Sequence, residues 1–221
     1  MRHGNGEKKT FTPGGLSFME SLTQSLQKTR LGIMENRVVE KGETSKSIHT
    51  KVFNYVRRKE FWFTVVYGMN KMVDREPLWD SLCKYDSGIS GPWIVGGDFN
   101  AIMANNERSG GAPITNSEMR HLLQVTQDCQ LTDLCAKGAF YTWNNKHEGG
   151  TKVYSRLDRV LINDECLDIF PDSYTHFLPE GMFDHCPDII KFEMEGQRQG
   201  QPFEYYKFTT CGPWLLSIKK L

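Results

Sequence analysis

The chain has 221 residues, 38% of them hydrophobic and 24% charged, and its 27 Lys and Arg balance 27 Asp and Glu. This is the make-up of a globular protein with enough residues for a sizeable core. No apolar run approaches the roughly 20 residues that a membrane helix needs, which excludes a helical span. The six cysteines (Cys83, Cys129, Cys135, Cys166, Cys186 and Cys211) are scattered without a CxxC pair, and there is no signal-peptide pattern. Reduced thiols in an intracellular protein are therefore expected, rather than a disulfide frame or a zinc cluster.

The charge is uneven along the chain. Residues 1–60 hold 12 bases against 6 acids, leaving 15 against 21 in residues 61–221. A basic arm beside an acidic body permits contact with a polyanion, and a plain solvated face accounts for it equally well.

In chain order, residues 1–17 read as a disordered lead-in, with Gly4, Gly6, Pro13, Gly14 and Gly15 among polar neighbours. Helical spacing follows from Phe18 to Gln27, a short strand at Leu31 to Val39, and a polar loop at 40–50. "FWFTVVYG" (61–68), rich in aromatic and β-branched residues, is a strong strand signal. Asp74 is placed to cap a helix with Pro77 near its start. "PWIVGGDFNA" (92–101) reads as a buried strand that runs into two glycines. Period-two alternation along it would turn Asp98 and Asn100 to one side and Phe99 to the other. A helix begins at Asn116-Ser117-Glu118, and strands are expected at 139–143, 155–162, 173–178 and 188–194, with a short helix at 164–170. Irregular alternation of strands and helices makes this an α/β or α+β layered fold.

Reactive groups recur at the ends of these apolar strands: Glu35; Tyr67 and Asn70; Asp98 and Asn100; Asp158; Asp184 and His185. Singly, each has a bland reading. Glu35 fits a surface acid, Tyr67 a core ring with its hydroxyl outward, Asp158 a surface ion pair with Arg156 or Arg159, and Asp184-His185 a turn before Pro187. Together they suit phosphodiester hydrolysis. That reaction uses a hard cation held by carboxylates, a group to orient water, and donors for charge developing on phosphate oxygens.

In order, "LGIMENRV", "FTVVYGMN", "PWIVGGDFNAI", "FYTWNN", "SRLDRVLIN" and "GMFDHCPDII" resemble the endonuclease/exonuclease/phosphatase superfamily over about residues 31–195. The likeness is greatest to the endonuclease domain of plant LINE-type (non-LTR) retrotransposons. It implies a four-layered α/β sandwich like deoxyribonuclease I, spanning 18–195, with 196–221 resembling the linker towards a reverse transcriptase that does not follow. It further implies a magnesium site, with manganese as an alternative, in which Glu35 and Asp184 bind the metal. By the same likeness Tyr67 and Asn70 contact phosphate or shape the site. Asp98 orients or deprotonates the attacking water, Asn100 assists at the phosphate oxygens, and Asp158 orients a transition-state-stabilising His185. DNA is the implied substrate and partner, the nucleus the expected location, a monomer the expected state.

Three departures accompany the resemblance. The family's first strand has no counterpart before Glu35, and only 25 residues separate Glu35 from Phe61, which implies a shortened amino-terminal half. Phe183 stands where the family usually places serine before Asp-His. These leave two rival expectations beside a DNA endonuclease: an inactive remnant or binding scaffold of the same fold, and an enzyme for small phosphoesters such as phosphoinositides.

Overall fold

The structure, a computed structural model, describes residues 47–54, 59–192, 204–208 and 217–220. The expected lead-in, the helix at 18–27, and the strand at 31–39 with Glu35 lie outside the described residues. The described strands are β1 (Ser47–Asn54), β2 (Lys59–Tyr67), β3 (Trp93–Asp98), β4 (Arg108–Ser109), β5 (Thr132–Asp133), β6 (Ala136–Gly138) and β7 (Trp143–Asn144). They continue with β8 (Tyr154–Ser155), β9 (Asp158–Ile162), β10 (Tyr174–Phe177), β11 (Asp188–Lys191), β12 (Glu204–Phe208) and β13 (Ser217–Lys220). The helices are α1 (Glu76–Gly88), α2 (Asn116–Asp128) and α3 (Asp164–Ile169).

Two five-stranded sheets carry the architecture, in the orders β1-β2-β3-β9-β5 and β13-β12-β11-β10-β6. A small third sheet, β4-β8-β7, joins them at one end. Alternation along the strands of the first sheet explains how it serves two cores. Phe61, Phe63, Ile94, Val160 and Ile162 face one way and pack with Ile190 and Phe192 of the second sheet's side. Val66, Trp93, Val95 and Leu161 face the other way, against Leu78, Trp79 and Leu82 of α1 and Leu122 and Val125 of α2. The described layers are therefore helices, sheet and sheet. This is the mixed α/β sandwich expected from the sequence, and a further helical layer outside the second sheet is not among the described residues.

Local readings differ from this outcome in instructive places. Ser47–Asn54 is not the end of a polar loop but a full strand, antiparallel to β2 in register from Ser47↔Val66 to Asn54↔Lys59. Ser47, His49 and Thr50 are buried, so the pairing and the aromatic wall beneath the strand override their loop-like composition. Asp74 does not cap α1. It lies inside a 3-10 turn at Met72–Arg75, where its backbone is already helical, and Arg75 precedes Glu76 with Pro77 in the first turn. The helix at 116–128 starts as read, with the Glu118 carboxylate reaching back to the Thr115 amide at 2.8 Å. The expected strand at 139–143 shrinks to Trp143–Asn144, and that at 155–162 divides into β8 and β9.

The underside of β1 holds a buried histidine. His49 is 3% exposed and stacks between Trp62 and Tyr85, at ring-centroid distances of 4.7 and 4.2 Å. Its Nδ1 lies 2.7 Å from the Thr64 hydroxyl, which accepts a hydrogen bond from Trp93 Nε1 at 2.8 Å. Burial lowers its pKa from 6.5 to about 4. The folded state thus holds His49 neutral where the unfolded chain takes up a proton. Its contribution is present above pH 6.5 and is lost as pH falls from 6.5 through about 4. Thermal melts across that window are expected to show a shallower pH slope for His49→Phe, which keeps the aromatic stack without the titrating nitrogen.

Candidate active site

The parity that builds the inter-sheet core also builds the site. Tyr67 continues the row of Phe61 and Phe63, Asp98 that of Ile94, and Asp158 that of Val160 and Ile162, so all three belong to the face turned to the second sheet. Register aligns them: Tyr67 pairs with Asp98 across β2 and β3, and Asp98 with Asp158 across β3 and β9. Three polar groups thus end up side by side along one edge of the sheet. The second sheet supplies the partner. Between β10 and β11 the chain bridges Trp143↔His185, and His185 Nδ1 comes to 2.8 Å from Asp158 Oδ2, with Nε2 at 4.0 Å from Asp98 Oδ2.

The backbone around Asp98 needs its glycines. Gly97 has φ +133°, and a Cβ there would sit 2.3 Å from the Val66 carbonyl oxygen; a Cβ on Gly68 would sit 2.2 Å from that of Phe99. The glycines therefore let two strand ends lie back to back, and Gly68 N–H donates to the Asp98 carbonyl at 2.6 Å. Alternation does not carry Asn100 to Asp98's side, because the strand ends at Asp98. A left-handed Asn100 (φ 49°) brings its own N–H to Asp98 Oδ1 at 2.8 Å. Its side-chain nitrogen donates to Asn70 Oδ1 at 2.8 Å, which links the β2 and β3 loops.

Electrostatics follow from burial. Asp98 is 1% and Asp158 2% exposed. Burial, reinforced by Asp158, pushes the Asp98 carboxyl up to about 7, against the opposing pull of His185, the Asn100 amide and Arg75. Burial opposes charge on His185, yet the hydrogen bond and charge of Asp158, with Asp98 and Asp184, raise its pKa to about 9. Asp188, facing inward on β11, is held well above the carboxylate range by burial and by Asp158. Tyr67 is raised by burial, Asp98 and Asp184.

These groups open onto a cleft of about 530 Å³, lined by Tyr67, Asn70, Asp98, Asn100, Asp184 and His185 together with Arg108 and Trp143. Asp158 lies buried behind His185. The structure thus gathers every sequence-predicted site residue except Glu35, which lies outside the described residues. Asp158 does not make the surface ion pair weighed from sequence. Arg159 points to the opposite face, where it pairs with Glu107 and with Asp133 (2.7 Å), and Arg156 also reaches Asp133. Sequence reasoning passed over three contributors. Thr142 Oγ1 accepts both the Leu157 and Asp158 amides, Trp143 Nε1 donates to Asp184 at 3.3 Å, and Arg75 donates to the Asn100 carbonyl. Thr142 and Trp143, both inside "FYTWNN", stood in a stretch that could have signalled a role, and Arg75 did not.

Residues 40–179 match the model of the Endonuclease/Exonuclease/phosphatase family. The chain belongs to that family. Among solved structures, the endonuclease domain of TRAS1, a telomere-specific non-LTR retrotransposon, is similar at TM-score 0.52 and 17% identity, over 68% of this chain and 64% of that one. The 3′ phosphatase NExo from Neisseria, bound to product DNA hairpin, is similar at TM-score 0.52 and 20% identity, over 67% and 65%. At these identities the likeness is one of fold, and the chain spans just under two thirds of the length of either. No curated protein matches the chain.

The donor set fits a cation in its chemistry. The Asp98 and Asp158 oxygens lie within 4.8 Å of one another and of a His185 nitrogen, and the exposed Asp184 carboxylate opens to the same cleft; carboxylate oxygens suit a hard cation, and His185 held cationic by Asp158 is its neighbour and not a ligand. In the cation-free protein, His185 is expected to stay charged through neutral pH and to titrate near 9, the stabilisation from its pairing being complete below pH 6.5 and lost as pH rises through about 9. Imidazole nitrogen shifts in NMR should show this, and Asp158→Asn should move the titration downward. Gly68→Ala is expected to cost about 2 kcal/mol or more in denaturant unfolding, since the Phe99 carbonyl that it meets at 2.2 Å is backbone and cannot turn aside.

Proposed function

We propose that this domain cleaves phosphodiester bonds in DNA by in-line attack of water, and that it derives from a plant LINE-type retrotransposon endonuclease. The observation that carries the reading is the buried Asp98–His185–Asp158 row opening onto a cleft with two carboxamides at its mouth. Asp98, with a pKa near neutrality, suits the acceptance of a proton from water. His185, kept cationic by Asp158, faces the cleft as a donor to the charge that builds on the phosphate. Asn100, held by Asn70, and the Tyr67 hydroxyl set the orientation of the phosphate oxygens. Asp184, together with Glu35, would hold magnesium or manganese, which when bound polarises a phosphate oxygen and offsets the surrounding acids.

The retrotransposon endonuclease among the similar folds supports the ancestry, and DNA as substrate makes the nucleus the location of choice. A second reading, removal of a phosphate from a DNA 3′ end, is favoured by the fold shared with a 3′ phosphatase.

Supercoiled plasmid with magnesium is expected to be nicked by the full chain. Asp98→Asn and His185→Ala should each lower the rate by about 10² to 10⁴-fold, with Asp172→Ala, on the loop before β10, unchanged. Absence of nicking by folded protein would refute the endonuclease reading. Release of phosphate from a 3′-phosphorylated oligonucleotide or from inositol phosphates, without nicking, would replace it with a phosphomonoesterase.

A further inference from the structure

Arg75 is 6% exposed, although it carries a charge and sits in a single 3-10 turn between β2 and α1. Its Nη1 donates to the backbone carbonyl of Asn100, while its Nε is buried with no hydrogen-bond partner among the described residues. Burying a guanidinium in a core is costly unless its charge is answered. Here the answering charges are Asp98, in the site, and Glu118 on α2, with Arg108 opposing. The carbonyl that it holds belongs to the one residue on which the site's geometry turns. Asn100 stands in the left-handed region at φ 49°, which asparagine tolerates better than other side chains and which its hydrogen bonds hold in one place. Among the described residues four hydrogen bonds hold it: its N–H on Asp98 Oδ1, its side chain on Asn70 and, at 3.4 Å, on the Gly68 carbonyl, and its carbonyl on Arg75. Arg75 is the one charged side chain among these partners that does not line the cleft.

We propose that Arg75 is a positioning residue, a buried clamp that fixes the Asp98–Phe99–Asn100 turn and so aims the water-orienting carboxylate and the phosphate-facing carboxamide together. The proposal rests on the phosphodiesterase reading for its kinetic consequence and on the turn's geometry alone for its structural one. Arg75 stays out of the cleft, so it acts on the alignment of bound substrate and not on binding itself. A displacement of the order of an ångström in such a group costs about 10²-fold in rate.

The test compares the full-length wild type with Arg75→Met and Arg75→Lys in magnesium-dependent nicking of supercoiled plasmid, and in site-resolved amide hydrogen exchange without metal or DNA. The expected kinetic result is a kcat about 10²-fold lower in Arg75→Met with KM within about threefold of wild type, and partial recovery in Arg75→Lys, which keeps a donor and the charge. The expected exchange result is faster exchange confined to residues 98–103 in Arg75→Met, with α1, α2 and the sheets protected as in wild type. A rise in KM at unchanged kcat would overturn the clamp. So would wild-type exchange at 98–103, or loss of protection throughout the domain in both variants, which would make Arg75 a residue of the fold alone. If the wild type cuts no DNA, the endonuclease reading fails and the exchange experiment still decides the clamp.

Discussion

Two carboxylates on neighbouring strands, paired in register and both nearly devoid of solvent, form the constraint around which the rest of the site is arranged. Asp98 and Asp158 face one another at 1% and 2% exposure, and like charges in that setting repel with little screening. The structure resolves the conflict in two ways. It raises Asp98 until it is half protonated near neutral pH, and it places a cationic imidazole between the two acids. His185 therefore has an electrostatic duty in the resting protein before any substrate is considered. It also explains why the second sheet matters to a site whose acids come from the first: the loop between β10 and β11 delivers the counter-charge, and the Trp143↔His185 bridge fixes where it arrives.

The same edge depends on backbone closeness as much as on side chains. Gly68 and Gly97 let the ends of β2 and β3 touch through backbone, where a Cβ would meet a carbonyl oxygen at 2.2 to 2.3 Å. That contact stops β3 at Asp98 and turns the next residues into a tight loop, so Phe99 enters the helix-side core at 0% exposure while Asn100 returns to the cleft. The aromatic anchor and the left-handed asparagine are two consequences of one bend. The loop ahead of β7 contributes similarly: Thr142 ties the Leu157 and Asp158 amides, so the start of β9 is fixed by a hydroxyl from outside its own sheet.

Much of this was legible in the sequence, for identifiable reasons. β2, β3 and β9 are rich enough in aromatic and β-branched residues to read as strands from the sequence, and the polar residues at their ends stood out against those runs. The family resemblance then named the residues that meet, and all but Glu35, outside the described residues, line or back a single cleft. What could not be read were the features that depend on a partner. β1 looked like a loop because its Ser, His and Thr side chains are polar, and only the aromatic stack and the hydroxyl ladder to Thr64 and Tyr85 make their burial tolerable. Asp74 looked like a cap because the intervening 3-10 turn leaves no trace in composition. Alternation placed Asn100 beside Asp98 for the wrong reason, since strand geometry ends where a turn takes over.

The distribution of buried charge bears on whether such a site is more than inherited shape. Asp98 and Asp158 lie in the interior on either side of one imidazole, the buried Asp188 interacts with Asp158, and Arg159 occupies the opposite face of β9 with Glu107 and Asp133. Apolar residues of similar size at these positions would in general give an equally or more stable interior. A scaffold required only to fold or to bind through its surface gains nothing from an acid whose pKa is driven towards neutrality by burial and by another acid beside it. A hydrolase gains a proton acceptor poised at the pH where it works and a neighbouring cation already oriented towards the same opening. Local electrostatic conflict beside the cleft, set in a domain whose helices and sheets are otherwise conventionally packed, is the pattern that the proposed catalytic reading calls for.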